Sequence, residues 1–118
     1  MPRAAAEPQL PGIPEERHPS YVPTVSILHI EHPITDFATW AVAFDQFSHA
    51  RRAAGVRSHQ VSRPVDDPCY VVVDLEFETD ESALAFRTFL QTVVWADPEN
   101  APALAGDPRA IVLRTEPL

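Results

Sequence analysis

The sequence predicts an α+β fold: a ferredoxin-like β-α-β-β-α-β domain with a four-stranded antiparallel sheet and two helices on one of its faces. Four short β-rich segments and two helical segments follow one another in that order. The 118 residues suit a single domain. The hydrophobic content of 45% is ordinary for a folded globular protein.

The first strand is followed directly by the first helix. Residues 24–32, "TVSILHIEH", are β-rich and lie between two prolines, which predicts a strand. Thr35 or Asp36 is the predicted N-cap of the helix. Gly55 is the predicted residue just past its C-terminus, because glycine adopts the left-handed conformation that ends many helices. Between these ends, aromatic side chains recur at spacings of three, four and three and define one apolar stripe: Phe37, Trp40, Phe44 and Phe47.

The next two strands are predicted to form a hairpin. Residues 56–64 are a polar, alternating strand, and residues 69–78, "CYVVVDLEFE", are the third strand after a turn at "VDDP". Because side chains alternate along a strand, two faces are expected in the third strand. One face carries Val71, Val73, Leu75 and Phe77, and the other carries Tyr70, Val72, Asp74 and Glu76.

The second helix and the last strand complete the pattern. Residues 79–95, "TDESALAFRTFLQTVVW", predict a helix capped by Thr79 or Asp80. Residues 96–108 form a proline-punctuated connection with one short helical turn near residues 103–105, and residues 109–116 are the fourth strand. Right-handed crossovers place strand three between strands one and two. The stripe of the second helix is predicted as Leu84 or Phe86, followed by Phe89, Leu90 and Val93.

Composition excludes several partners. Seventeen acidic residues against nine basic ones give a net charge of −8, which argues against nucleic acid and anionic membranes as partners. Residues 1–23 contain six prolines and are expected to be disordered or draped over a neighbouring subunit, so that the folded domain is 24–118. No signal peptide or membrane helix is apparent, and the single Cys69 suits a reducing compartment. The expected location is the cytoplasm.

The sheet face opposite the helices is also predicted to be buried, by a second layer of structure. The helices protect one face, yet Tyr70 and Val72 lie on the opposite face of strand three, and strand one carries apolar residues of both parities. The simplest cover is another copy of the same chain. We therefore expect a homodimer that associates through the sheet faces.

His29 and Glu31 are the candidate catalytic residues. They share one face of the first strand, whereas His32 takes the other. Both faces of this strand carry apolar residues, so the face that meets the helices stays open, and the proposed base becomes His32 if its face does. An imidazole oriented by a carboxylate suits proton abstraction next to a carbonyl. The alternatives are an interface pair without chemistry, and a metal site completed by His59 from strand two. The metal site is disfavoured because His59 would lie two strands away, about 9–10 Å from His29 by strand spacing.

Basic residues near the end of the first helix have a simpler interpretation. His49, Arg51 and Arg52 suit the last turn, where the helix dipole favours cations. The acidic residues around strand three and the second helix suit a solvated strand end and a helix N-terminus. Neither group is predicted to carry chemistry.

The folded part resembles the dimeric α+β barrel superfamily, and within it small proteins related to antibiotic-biosynthesis monooxygenases and polyketide-cyclase-like enzymes. The resemblance rests on three stretches: "LHIEHPITDFATWAVAFDQF", "RPVDDPCYVVVDLEFET" and "ESALAFRTFLQTVVW". It implies a cavity between the helices and the sheet. Aromatic side chains that would otherwise simply form the core then become candidate ligand contacts: Trp40, Phe44, Phe86, Phe89 and Trp95.

These observations predict a cofactor-independent enzyme that acts on a hydrophobic, carbonyl-bearing small molecule. His29 would be the base and Glu31 would orient it, in a cyclisation or an isomerisation. The sequence contains no glycine-rich nucleotide motif, so no organic cofactor is expected, and no metal is expected either. A cofactor-free monooxygenase starts with the same deprotonation and stays open, as does a non-catalytic dimer that binds a small ligand or a partner protein.

Overall fold

The computed structural model describes residues 24–118. Residues 1–23 lie outside the described residues. The prediction of a disordered or draped tail there, and of a domain boundary at residue 24, therefore stays a prediction. The elements are β1 (Ser26–Pro33), α1 (Phe37–Gln46), α2 (Ser48–Ala53), β2 (Ser58–Ser62), β3 (Tyr70–Phe77), α3 (Asp80–Phe89), which runs on into a π-helical turn (Leu90–Val94), and β4 (Arg109–Arg114).

The sheet has the predicted ferredoxin-like topology. Its four strands are ordered β2-β3-β1-β4, and every neighbouring pair is antiparallel. β3 therefore lies between β1 and β2, as the right-handed crossovers require. Within residues 24–118, no helix is long and apolar enough to cross a bilayer.

The first helical segment begins and ends at the predicted residues but is divided within. Asp36 is the N-cap, and its carboxylate accepts a hydrogen bond of 2.8 Å from the Thr39 amide. Gly55 has a φ of 95°, the left-handed conformation expected after a helix. Phe47 leaves helical geometry and separates α1 from α2. The sequence did not predict this division.

The apolar stripe by which α3 packs on the sheet includes Phe86 and not Leu84, the other predicted candidate. Phe86 is buried, whereas Leu84 is 41% exposed. At the end of this segment Val94 is buried and the predicted Val93 is 43% exposed. The π-helical turn explains that correction, because its wider turn moves the inward position one residue further along the chain. The predicted helical turn near residues 103–105 is a hydrogen-bonded turn, and Leu104 there bridges to Ile34.

The two faces of the sheet divide as the alternation in β3 predicted. Val71, Val73, Leu75 and Phe77 are all buried under the helices. On β1, the helix-covered face carries Ser26, Leu28, Ile30 and His32, and the side chains between them take the other face, which we call the open face. The main core thus lies between the sheet and one layer of helices.

Candidate functional site

An apolar cavity of about 80 Å³ lies between the helices and the sheet. Its floor comes from β1 and β3, its walls from the three helices and the π-helical turn, and one end from the connection before β4. The structure brings all five predicted ligand contacts together around this cavity: Trp40, Phe44, Phe86, Phe89 and Trp95. Trp40 stacks on Phe44 with ring centroids 4.8 Å apart, so one wall is a continuous aromatic surface.

His32 lines this cavity. It has the same parity on β1 as Leu28 and Ile30, and only 4% of its surface is exposed. Its Nδ1 lies 2.9 Å from the Pro33 carbonyl oxygen, which can only accept a hydrogen bond, so Nδ1 carries the proton. Burial lowers the pKa of His32. The ring is therefore neutral at neutral pH, with the lone pair on Nε2.

Arg51 lines the same cavity. It lies on α2 and is 7% exposed, and its guanidinium carbon is 3.6 Å from the centroid of the Phe44 ring. Its Nη1 donates a hydrogen bond to the Phe44 carbonyl oxygen, at the end of α1. Burial lowers the pKa of Arg51, yet a guanidinium keeps its charge at neutral pH. Among the described residues that line it, the cavity thus has one cation and one neutral base.

The predicted pair His29 and Glu31 lies on the open face, away from the cavity. His29 Nε2 is 2.8 Å from Glu31, as the shared parity predicted, and Nδ1 is 2.7 Å from Asp74 on β3. Tyr70 donates its hydroxyl proton to the other Glu31 oxygen at 2.8 Å. The hydrogen bond to Glu31 is the main cause that raises the pKa of His29, against burial and with further help from Asp74. His29, the predicted base, does not face the aromatic cavity, because β1 turns the opposite parity toward the helices. This decides the question that the apolar residues on both faces of the strand left open.

The hypothetical metal site does not assemble. His29 is on the open face, whereas His59 on β2 contacts Phe44 on the helix side, at 5.3 Å between ring centroids. Within residues 24–118, no group of three or more His, Cys, Asp or Glu side chains is arranged to hold a metal ion. Both ring nitrogens of His29 are already engaged with carboxylates.

Arg51 was not predicted as a site residue, and His32 was predicted only as the alternative base, for the case in which its face of β1 meets the helices. Each carries a sequence signal. His32 shares the parity of Leu28 and Ile30, the residues that form the core. Arg51 follows Phe47 by four residues and so continues the spacing of the aromatic stripe. Arg51 lies in the last turn of α2 as predicted, and its burial is a feature that the sequence analysis did not predict.

Comparison with known proteins supports the fold. No family model matches the chain, and no curated protein matches its sequence. Among solved structures, a candidate antibiotic biosynthesis monooxygenase from Bordetella bronchiseptica matches with a TM-score of 0.58 and 12% identity, over 80% of this chain and 98% of that one. A monooxygenase from the gene ActVA-Orf6 of Streptomyces coelicolor, in complex with the ligand Nanaomycin D, matches at 0.55 and 16%, over 79% and 88%.

A third match shows how widely this fold is used. A candidate PII-like signalling protein from Thermus thermophilus matches with a TM-score of 0.51 and 12% identity, over 78% of this chain and 86% of that one. At these identities the likeness concerns the fold alone. The predicted resemblance to ferredoxin-like proteins of the antibiotic biosynthesis monooxygenase type is confirmed at that level.

Proposed function

We propose that the protein is a cofactor-independent enzyme that binds a small, hydrophobic, carbonyl-bearing molecule in the aromatic cavity, with His32 as the base. The observation that supports this most directly is a buried, neutral imidazole in an apolar cavity, with one ring nitrogen held by the Pro33 carbonyl. That hydrogen bond fixes the tautomer and leaves Nε2 to accept a proton. The role moves from His29 to His32 because the cavity lies on the other side of the sheet.

The proposed first step is proton abstraction next to the carbonyl of the ligand. The C–H bond breaks, the proton goes to His32 Nε2, and the electron pair passes to the carbonyl oxygen to form an enolate. A buried imidazolium is costly by itself, which agrees with the lowered pKa of His32. The neighbouring enolate offsets this cost. Reprotonation at another atom would complete an isomerisation, and attack of the enolate carbon on a second carbonyl would complete a cyclisation.

The size of the cavity limits the ligand. A volume of about 80 Å³ is well below the range of about 300–1,000 Å³ that is usual for drug-sized ligands. A ligand with one ring or a compact pair of rings suits this space. A larger polycyclic ligand would require movement of Trp40 or Trp95, the large side chains of the wall.

A cofactor-free monooxygenase is the second candidate. The likeness to the monooxygenase structure with Nanaomycin D favours it at the level of fold. The same enolate would react with dioxygen: both C–H bonds of a CH2 group next to the carbonyl break, its carbon becomes a new carbonyl with one oxygen atom, and the other oxygen atom leaves as water. The substrate itself supplies all four electrons, so no reductant is needed. Turnover that requires air, and stops under nitrogen, would select this alternative over a cyclase or an isomerase.

Association through the open face forms part of the proposal. This face combines the His29 cluster with apolar side chains from three strands, and a second copy would cover both. One neighbour of this fold is named as a dimeric ferredoxin-like protein. The apolar members of the open face are Ile27, Val72, Ile111 and Leu113.

We also propose that the protein is located in the cytoplasm.

The proposed proton transfer is testable by hydrogen exchange. We expect the protein to accelerate deuterium incorporation from heavy water into the carbon next to the carbonyl of 2-indanone, followed by proton NMR. His32→Gln should reduce the acceleration by about 100-fold or more, because general-base catalysis contributes about 10²–10⁴-fold. Glutamine retains an N–H group that can reach the Pro33 carbonyl. The matched control is His49→Gln, at an exposed position on α2.

His29→Gln separates the two assignments of the base. Exchange lost in His29→Gln and retained in His32→Gln would contradict His32 and restore His29 and Glu31 as the catalytic pair. Binding of 2-indanone with no exchange in the wild-type protein would favour the non-catalytic ligand-binding dimer.

A further inference from the structure

Arg51 is a buried charge inside an apolar cavity. It is 7% exposed and lines the cavity together with aromatic side chains. Among residues 24–118, no carboxylate lies within 4 Å of its guanidinium. Asp45 is the acidic residue that influences it, and it does so only through longer-range attraction. Removing a charge from water without an opposite charge beside it is costly, so its position calls for an explanation.

The contacts within the described chain compensate this charge only in part. The Phe44 ring supplies a cation–π contact at 3.6 Å and the Phe44 carbonyl accepts one hydrogen bond. A guanidinium has five N–H donors in a planar fork, and one of them donates to this described acceptor. The guanidinium is thus held in place by Phe44 of α1, the helix that precedes its own helix α2. Donors remain for an acceptor that enters the cavity.

We infer that the cavity selects a ligand with an anionic oxygen, an aromatic carboxylate, phenolate or enolate, and that Arg51 binds this oxygen while the ring of the ligand lies among the aromatic side chains. This inference rests on the proposed function, since it assigns a ligand class to the same cavity. A planar guanidinium suits a carboxylate or enolate better than an ammonium does, because its donors lie in one plane. The charge of the ligand supplies the missing partner.

His32 and Arg51 then have complementary roles. When the ligand enters as a neutral phenol or enol, its O–H bond breaks, the proton goes to His32 Nε2, and the electron pair stays on the oxygen. When it enters as a ketone, the C–H bond breaks and the same charge appears on the carbonyl oxygen. In both cases the neutral imidazole of His32 becomes an imidazolium and the neutral ligand becomes an oxyanion. The guanidinium of Arg51 stays charged throughout. The donors of Arg51 therefore face charge that develops during the transfer.

The test compares two small aromatic probes that differ in one hydroxyl group. 4-Nitrophenol and nitrobenzene are titrated against the full chain by calorimetry, and the absorbance of the nitrophenolate reports its ionisation. We expect wild-type protein to bind 4-nitrophenolate about 10–100-fold more tightly than nitrobenzene, the size expected of a hydrogen bond to a charged group. The bound phenol should also be ionised at a lower pH than the free phenol.

Variants of Arg51 locate the effect. Arg51→Gln should lose the preference for the phenolate and keep the affinity for nitrobenzene, and Arg51→Lys should keep part of the preference because it keeps the charge. The matched control is Arg52→Gln, since Arg52 is the neighbouring residue on α2 and is exposed. If Arg51→Gln does not fold, as judged by circular dichroism, Arg51→Lys and the wild-type comparison decide the question.

The outcomes separate this inference from the proposed function. Equal affinity of the wild-type protein for both probes, or a preference that survives in Arg51→Gln, would overturn the role of Arg51 and leave the cavity as a ligand site. Failure of both probes to bind would overturn the cavity as a site for small aromatic ligands, and the inference with it. A preference that disappears in Arg51→Gln and persists in Arg52→Gln supports both.

Discussion

The two faces of the sheet place two histidines of one strand in opposite environments. His32 lies under the helices, 4% exposed, with a carbonyl oxygen at Nδ1 and an aromatic cavity beside it. His29 lies three residues earlier on the open face, between the carboxylates of Glu31 and Asp74. Burial lowers the pKa of His32, whereas the hydrogen bond to Glu31 raises that of His29.

The comparison shows that parity along a strand decides what an imidazole can do. A neutral ring in a dry cavity can accept a proton, and the cost of its charged form makes it sensitive to a neighbouring anion. A ring held by two carboxylates has its protonated form favoured and lies at the centre of a hydrogen-bonded cluster. The same residue type therefore serves as the proposed base on one face and as the centre of a polar cluster on the other.

The largest expected difference between the faces is in packing. Leu28→Ala removes a fully buried side chain and should lower the free energy of unfolding by about 2–5 kcal/mol, as large-to-small core substitutions do. Ile27→Ala, one residue away on the open face, should cost less than half as much. Its effect should appear mainly as weaker self-association, because Ile27 belongs to the proposed dimer interface. Urea denaturation and sedimentation equilibrium measure the two quantities.

Equal losses of unfolding free energy in the two variants, with unchanged association, would contradict both the division of the faces and the proposed dimer. Val42, at an exposed helical position with 61% of its surface accessible, offers a control through Val42→Ala. That substitution should change neither quantity appreciably.

The next expected difference is in the pH dependence of stability. The folded-state pKa of His29 lies above its ordinary value of 6.5, so its contribution is complete below about pH 6.5 and is lost as the pH rises through the folded-state value. The pKa of Glu31 is lowered from 4.5, mainly by its hydrogen bond with His29. The contribution of Glu31 is therefore lost as the pH falls through its own folded-state value. The His29–Glu31 pair therefore stabilises the fold most between pH 4.5 and pH 6.5, the ordinary pKa values of the two groups.

The contribution of His32 to stability changes with pH in the opposite direction. Below its ordinary value of 6.5, the unfolded chain binds a proton that the folded chain resists, so stability falls as the pH decreases. The stability lost in His29→Gln should therefore be greater at acidic than at alkaline pH, and the loss in His32→Gln should be smaller at acidic pH. Urea denaturation across the pH range and NMR titration of both rings test this. Parallel profiles for the two variants would refute it.

The smallest expected effect concerns Tyr70. Its hydroxyl donates to Glu31 at 2.8 Å and helps to lower the pKa of that carboxyl, after the larger contribution of His29. Tyr70→Phe should raise the pKa of Glu31 slightly and leave the pKa of His32 unchanged, because the sheet separates the two sites. Carbon-13 NMR titration of the carboxylates measures the first and proton NMR the second. A shift of His32 would show that the two faces are coupled.

Much of the fold was predictable because it depends on short-range patterns. The order of elements, the caps at Asp36 and Thr79, the positive φ of Gly55 and the two faces of β3 all follow from spacing and local chemistry. The aromatic set of the cavity followed from helical spacing together with the family resemblance. The break at Phe47 and the π-helical turn at Leu90–Val94 did not, because each changes helical phase without a proline or glycine signal.

The sequence by itself determined which side chains share a strand face or a helix stripe, since these depend on periods of two and about 3.6 residues. Only the tertiary structure decided which parity of β1 meets the helices. Both parities of that strand carry apolar residues, so the choice depended on packing against α3 and β3 and not on the strand alone. For the same reason the buried charge of Arg51 and the neutral His32 became visible only when helices and sheet enclosed one cavity.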